Sequence, residues 1–263
     1  MGELRSVESA DGSVIGFEVV GAGPPMVLVH GGTADRSRWA PVLPRLAERF
    51  TVHVLDRRGR GLSTAEAGDY HIEREGEDVA AVVEAAGRDV YLVAHSYGAL
   101  CALEAALVST AIGRMTLYEP PMSTGEHRVV PPDTLDRLRV VAAGDDAEGI
   151  LETFFREVIE VSTADIEAMR GTPIWLARLA AAHTIGRELD SVEAFDSSDR
   201  LSRIGIPVRL LLGTESPGYF RPAAELIARR LPRADIAPLY GQDHLAIDRD
   251  PEQLTAAVFA FAS

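Results

Sequence analysis

The stretch that most constrains this chain is Val90-Tyr91-Leu92-Val93-Ala94-His95-Ser96-Tyr97-Gly98, followed by an Ala/Leu-rich segment over 97–109. A continuous apolar run without alternation suits a strand buried on both faces. Here it passes directly into a helical pattern, with one serine at the join. Strand and helix approach closely at such a bend, so the residues two before and two after the serine must be small, as Ala94 and Gly98 are. The bend lifts the Ser96 hydroxyl out of the sheet. It also leaves the next backbone N–H, that of Tyr97, at a helix N-terminus, where developing negative charge is stabilised.

The same rhythm repeats along the chain. Strand-like runs near 4–9 and 14–20 flank Asp11-Gly12, a hairpin signal. Met26 to His30 is a second buried run, ended by Gly31 and Gly32, and residues 37–49 carry apolar positions at helical spacing. Thr51 to Leu55 reads as a strand, 73–87 as a helix, and Met115 to Tyr118 as a strand stopped by Pro120-Pro121. From about 122 to 200 strands are not expected, and helical segments are predicted near 133–142, 146–160, 163–170 and 173–188. Alternation then resumes with Pro207 to Leu212, 220–230, Asp235 to Leu239 and 251–262. The pattern predicts an α/β fold with a mostly parallel central sheet and helices on both faces. The core would comprise 1–121 and 201–263, interrupted by a helical insertion at 122–200.

Charge narrows the choice of partner. Forty acidic residues against 26 basic ones give a net charge of −14, which disfavours nucleic acid and anionic membranes. A small-molecule substrate is expected instead, with strongly anionic ones mildly disfavoured unless a local basic pocket intervenes. All basic residues are arginine, so a lysine Schiff base is excluded. The single Cys101 cannot form an intramolecular disulfide. The first residues are polar with no signal-like apolar stretch, and no run of about 18 apolar residues follows, so a cytoplasmic location is expected. Neither H-E-x-x-H nor a G-x-G-x-x-G after a strand occurs, so no metal or other cofactor is expected.

Ala94-His95-Ser96-Tyr97-Gly98 resembles the G-x-S-x-G elbow of the α/β-hydrolase superfamily, with Ala94 in place of the first glycine. His30-Gly31-Gly32 ends a strand where that superfamily keeps its second oxyanion loop. Asp56-Arg57-Arg58-Gly59-Arg60-Gly61-Leu62-Ser63 is similar to its D-x-R-G-x-G-x-S loop, whose arginines are expected to be solvated or paired within the loop. Gly241-Gln242-Asp243-His244 falls where its catalytic histidine sits. The resemblance implies an α/β-hydrolase fold with a helical cap over the site. It implies Ser96 as nucleophile, His244 as base, and the N–H groups of Gly32 and Tyr97 as oxyanion hole. The chemistry implied is hydrolysis of an ester, thioester or lactone through an acyl-enzyme. Serine at the elbow, where epoxide hydrolases and dehalogenases carry aspartate, argues against those reactions. Apolar insertion residues such as Phe154, Phe155, Trp175 and Leu179 point weakly to an uncharged, largely apolar substrate. Carbon–carbon cleavage or another nonhydrolytic reaction, and ligand binding without turnover, stay open as alternatives.

The acid is less clear. The superfamily's usual aspartate follows the penultimate strand, and Gly213-Thr214-Glu215-Ser216 places Ser216 there. A serine carries no charge to stabilise an imidazolium. Two carboxylates can replace it: Glu119, directly after the strand ending at Tyr118, and Glu215, one residue from the usual place. A one-residue offset turns a side chain to the opposite face of a strand, which favours Glu119 and leaves Glu215 open.

Overall fold

A computed structural model describes residues 2–63, 69–125, 127–144 and 146–262. The chain opens with β1 (Glu3–Glu8), β2 (Val14–Val20), β3 (Pro25–Val29), α1 (Leu43–Ala47), β4 (Thr51–Leu55) and α2 (Ile72–Ala86). The elbow segment follows as β5 (Val90–His95) and α3 (Tyr97–Val108), then β6 (Ile112–Tyr118). Five helices come next: α4 (Pro132–Ala143), α5 (Ala147–Glu157), α6 (Thr163–Met169), α7 (Pro173–Ala181) and α8 (Ile185–Ala194). β7 (Val208–Gly213), α9 (Phe220–Arg230), β8 (Ala234–Leu239), α10 (Ala246–Arg249) and α11 (Pro251–Ala262) complete the chain.

The eight strands form one sheet in the order β1-β2-β4-β3-β5-β6-β7-β8. β2 pairs antiparallel with β1 and β4, and every other pairing is parallel. Period-two alternation divides the central strands between two cores. Val27, Val29, Leu92 and Ala94 face a layer that includes α2, α3 and α9. Met26, Leu28, Tyr91 and Val93 face the layer of α1 and α11. Helices therefore cover both faces, which is why the strands read as unbroken apolar runs.

This topology fixes where a ligand can bind. From β3 the chain moves outward to β4, then returns to β5 on the other side of β3. Loops leaving β3 and β5 at their carboxyl ends consequently diverge, opening a crevice at the switch in strand order. His30-Gly31-Gly32 and Ser96 stand at those two ends.

Two helix expectations need correction. The single helix expected over 37–49 is a 3-10 turn at Arg36–Trp39 followed by α1. Pro44 lies in the first turn of α1, the one part of a helix where its missing N–H costs nothing. The helix expected over 173–188 is broken by a 3-10 turn at Ala182–Thr184, and α8 then runs on to Ala194. No proline lies at that break, although Gly186 follows it in the first turn of α8. Thr184 is instead engaged by Arg60 (Nη2 to Oγ1, 2.7 Å) while its hydroxyl donates to Ala181 O at 2.8 Å. No described helix is long and apolar enough to cross a membrane.

Candidate active site

Ser96 occupies the bend between β5 and α3 with φ 55° and ψ −130°. Such a conformation costs a non-glycine residue on the order of 1–3 kcal/mol and persists only where its surroundings enforce it. Enforcement comes from the Ser96 N–H donating to Tyr118 O and the Ala99 N–H donating to Ser96 O, both at 2.8 Å. Close approach explains the small residues. A Cβ on Gly98 would stand 2.4 Å from His30 O, and one on Gly31 would stand 2.7 Å from Ser96 Cβ. Tyr97 begins α3, so its N–H has no acceptor within the helix. Thr33 (φ 56°) and Glu119 (φ 49°) also have positive φ, so three of the five such non-glycine residues described belong to this site.

His244, in the loop after β8, is directed by a buried carboxylate. Its Nδ1 lies 2.7 Å from Glu119 Oε2. The other oxygen, Oε1, accepts from the Gly213 N–H at 2.8 Å and from the Ser216 hydroxyl. With both carboxylate oxygens accepting, the proton of this pair sits on Nδ1 and Nε2 is left as the basic nitrogen. Glu119 is 1% exposed, and the imidazole packs against Phe220 (centroids 4.6 Å, 17° between planes) and His95 (4.5 Å). Tyr118 pins the loop: its hydroxyl donates to Asp243 O and accepts from the Ala246 N–H at 3.2 Å. Of the two carboxylates weighed from sequence, Glu119 reaches His244, whereas the side-chain contact of Glu215 is with Thr214 Oγ1 at 3.4 Å.

Two small chambers meet at Ser96. One is lined by Ser96, His244, Gly32, His95, Arg38 and Arg178 among others. The second is apolar, with Val129, Phe154, Val158, Ile185, Leu189 and Val192 in its wall. Gly32, Thr33, Ser96, Phe154 and Ile159 border both. Apolar residues of 122–200 line both chambers, and the first also carries the charged side chains of Arg38 and Arg178.

The arginines after β4 are neither solvated nor confined to loop pairing. Arg57 binds Glu75 through two nitrogens and reaches Glu188 of α8 at 2.8 Å. Arg60 reaches the same Glu188 oxygen at 2.5 Å, and Arg58 grips Asp78 and Asp11. Burial alone would raise the Glu188 carboxyl, but Arg57 and Arg60 outweigh it and bring it from the usual 4.5 to about 2. The Glu188 side chain also packs over Gly32, so this network ties α8 to the loop after β3. His30 braces that loop from beneath. Its Nε2 accepts the Arg57 N–H at 3.1 Å, which leaves Nδ1 to donate to Gly31 O at 2.9 Å. Burial and the neighbouring Arg57 hold its pKa well below the ordinary value, so it stays neutral.

Sequence reasoning did not anticipate Ser216 as a donor to Glu119, Tyr118 as the loop anchor, Phe220 against the imidazole, or Arg178 in the chamber wall. Ser216 alone left a trace, as the odd residue where an aspartate was expected. Among the described residues, no group of three or more His, Cys, Asp or Glu side chains is disposed to hold a metal ion.

Residues 26–258 match the model of the alpha/beta hydrolase family. N-formylmaleamate deformylase of Pseudomonas putida is 34% identical over 146 residues, a match spanning only 52% of this chain and 54% of that protein. The pimeloyl-[acyl-carrier protein] methyl ester esterase of Aeromonas hydrophila is 25% identical, over 94% of this chain and 98% of that one. The crystal structure of an alpha/beta hydrolase from Sphaerobacter thermophilus superposes with a TM-score of 0.86 at 34% identity, covering 98% of this chain and all of that one.

Proposed function

Since the chain belongs to the alpha/beta hydrolase family, we propose that this hydrolase cleaves an ester, thioester or lactone of a small to medium substrate through an acyl-enzyme on Ser96. The observation that carries this reading is the 2.7 Å contact between His244 Nδ1 and the buried Glu119, beside a serine on a strained bend. His244 Nε2 takes the proton as Ser96 Oγ attacks the carbonyl carbon. The resulting oxyanion lies between the N–H groups of Gly32 and Tyr97, each such donor being worth roughly 10²–10³ in turnover. His244 then returns the proton to the leaving group, and afterwards activates a water that attacks the acyl-enzyme carbonyl.

Glu119 orients the ring and stabilises the imidazolium as it forms, without taking the proton itself. Residues 122–200 serve as a cap, since they supply most of the side chains lining the apolar chamber. Relatives named as a deformylase and as a methyl ester esterase fit acyl transfer.

Turnover of an ester, thioester and lactone panel in ¹⁸O-labelled water tests the proposal. One labelled oxygen is expected in the acid product, with turnover lost in Ser96→Ala. Product lacking the mass of added water, or undiminished turnover by Ser96→Ala, would contradict it.

A further inference from the structure

The molecule neutralises its buried arginines with one exception. Arg38, Arg57, Arg58, Arg60 and Arg178 are all buried. The first four each have a carboxylate within salt-bridge distance. Arg178, on α7 and 6% exposed, has none among the described residues. Its guanidinium donates to Thr33 Oγ1 at 2.8 Å and lies 5.0 Å from the centre of the Phe155 ring. A hydroxyl and a ring face offset only part of the cost of burying a full charge. Burial and the nearby Arg38 lower the Arg178 pKa, but only to about 10, so the group is still a cation at neutral pH.

This uncompensated cation stands in the wall of the chamber that holds Ser96 and His244. The same wall contains Arg38 and His95, and the Arg178 Nε, Arg38 Nη2 and His95 Nδ1 atoms all lack a hydrogen-bond partner. Arg38 is already matched by Asp248 at 2.5 Å, so the chamber carries one surplus positive charge. The opposite chamber carries none, because its Glu188 is matched by Arg57 and Arg60.

We infer that Arg178 is a recognition residue for a substrate carboxylate. The substrate class is an acyl compound bearing a free carboxylate on one side of the scissile carbonyl and an apolar group on the other. Ser96, at the junction of the two chambers, would meet the carbonyl between them. This inference rests on the acyl-transfer reading for the position of the reacting bond, but not for the existence of the anion site. It also replaces the expectation of an uncharged substrate: the net charge of −14 disfavours anions at long range, and the local cation overrides that within the chamber.

Calorimetry on Ser96→Ala protein, which cannot acylate at that position, tests the anion site separately from catalysis. Monomethyl glutarate is expected to bind about 10- to 100-fold more tightly than dimethyl glutarate, the range for a charge-assisted hydrogen bond. Adding Arg178→Gln should abolish that preference while leaving diester affinity within about threefold, and Arg178→Lys should restore part of it. Equal affinity for the two ligands, no binding by either, or a preference that survives Arg178→Gln would overturn the inference. Comparing the two ligands on the arginine-containing protein needs no second substitution, so a poorly folding variant leaves the test intact. If the monoester binds as expected but wild type releases no methanol from it or from any ester, the acyl-transfer reading fails and the carboxylate site stands.

Discussion

Glu119 sits one residue past the end of β6 with a left-handed backbone and almost no exposure. Its two oxygens divide the work: Oε2 orients His244, while Oε1 is fixed by Gly213 and Ser216. Glu119→Gln keeps the shape but can present an amide N–H to Nδ1, favouring the tautomer in which Nε2 is no longer basic. Turnover is expected to fall by about 10³–10⁴, with the circular dichroism spectrum unchanged. Glu215→Gln should stay within about threefold of wild type, and the opposite ranking would reassign the acid. Ser216→Ala removes one of two donors to Oε1, so a loss of only a few-fold in kcat is expected, with KM unchanged. A serine where an aspartate is usual thus becomes intelligible, since it bonds the carboxylate proposed to do the aspartate's work. That relation joins two strands and could not be read from either alone.

At the scale of elements, β6 serves the site twice, through Glu119 beyond its end and through Tyr118, which holds the His244 loop. Tyr118→Phe removes both bonds of this hydroxyl and leaves Asp243 O and the Ala246 N–H only their mutual 3.2 Å bond, costing about 1 kcal/mol of stability. It should also lower kcat more than it raises KM, because the loop it frees carries the base. Unchanged kcat alongside a lowered Tm would confine Tyr118 to a structural role. The sheet and its flanking helices were legible because period and apolar runs report burial directly. The break between α7 and α8 was not, because no proline marks it and Thr184 there is held by Arg60, more than a hundred residues earlier. Tertiary contacts override local propensity in this way.

Across the whole molecule, the Arg57–Glu75–Glu188–Arg60 network joins the helical segment to the sheet at the level of the site. Removing Glu188 leaves Arg60 buried without a carboxylate, while Arg57 keeps Glu75, so Glu188→Gln is expected to cost about 3 kcal/mol in urea unfolding at neutral pH. The pH dependence has a definite sign. The Glu188 carboxyl is depressed from 4.5 to about 2 in the folded protein, so its stabilisation is complete above about 4.5 and lost as pH falls toward 2. The gap between wild type and Glu188→Gln should therefore narrow over that window, and a constant gap would show that the carboxylate's charge is not what stabilises the fold. In sequence these arginines could only be assigned to a loop, because pairing across such separations is decided by the topology. Arg178 was hidden for the same reason, as one arginine on an ordinary helix until the fold turned it toward Ser96. On the proposed mechanism, His244, set by Glu119, makes Ser96 a nucleophile. Reaction with a fluorophosphonate followed by peptide mass spectrometry tests this most directly. A single adduct on Ser96 is expected, absent from Ser96→Ala and formed at least about 100-fold more slowly in His244→Gln. An adduct on another residue, or none under conditions that saturate an ordinary serine esterase, would contradict it.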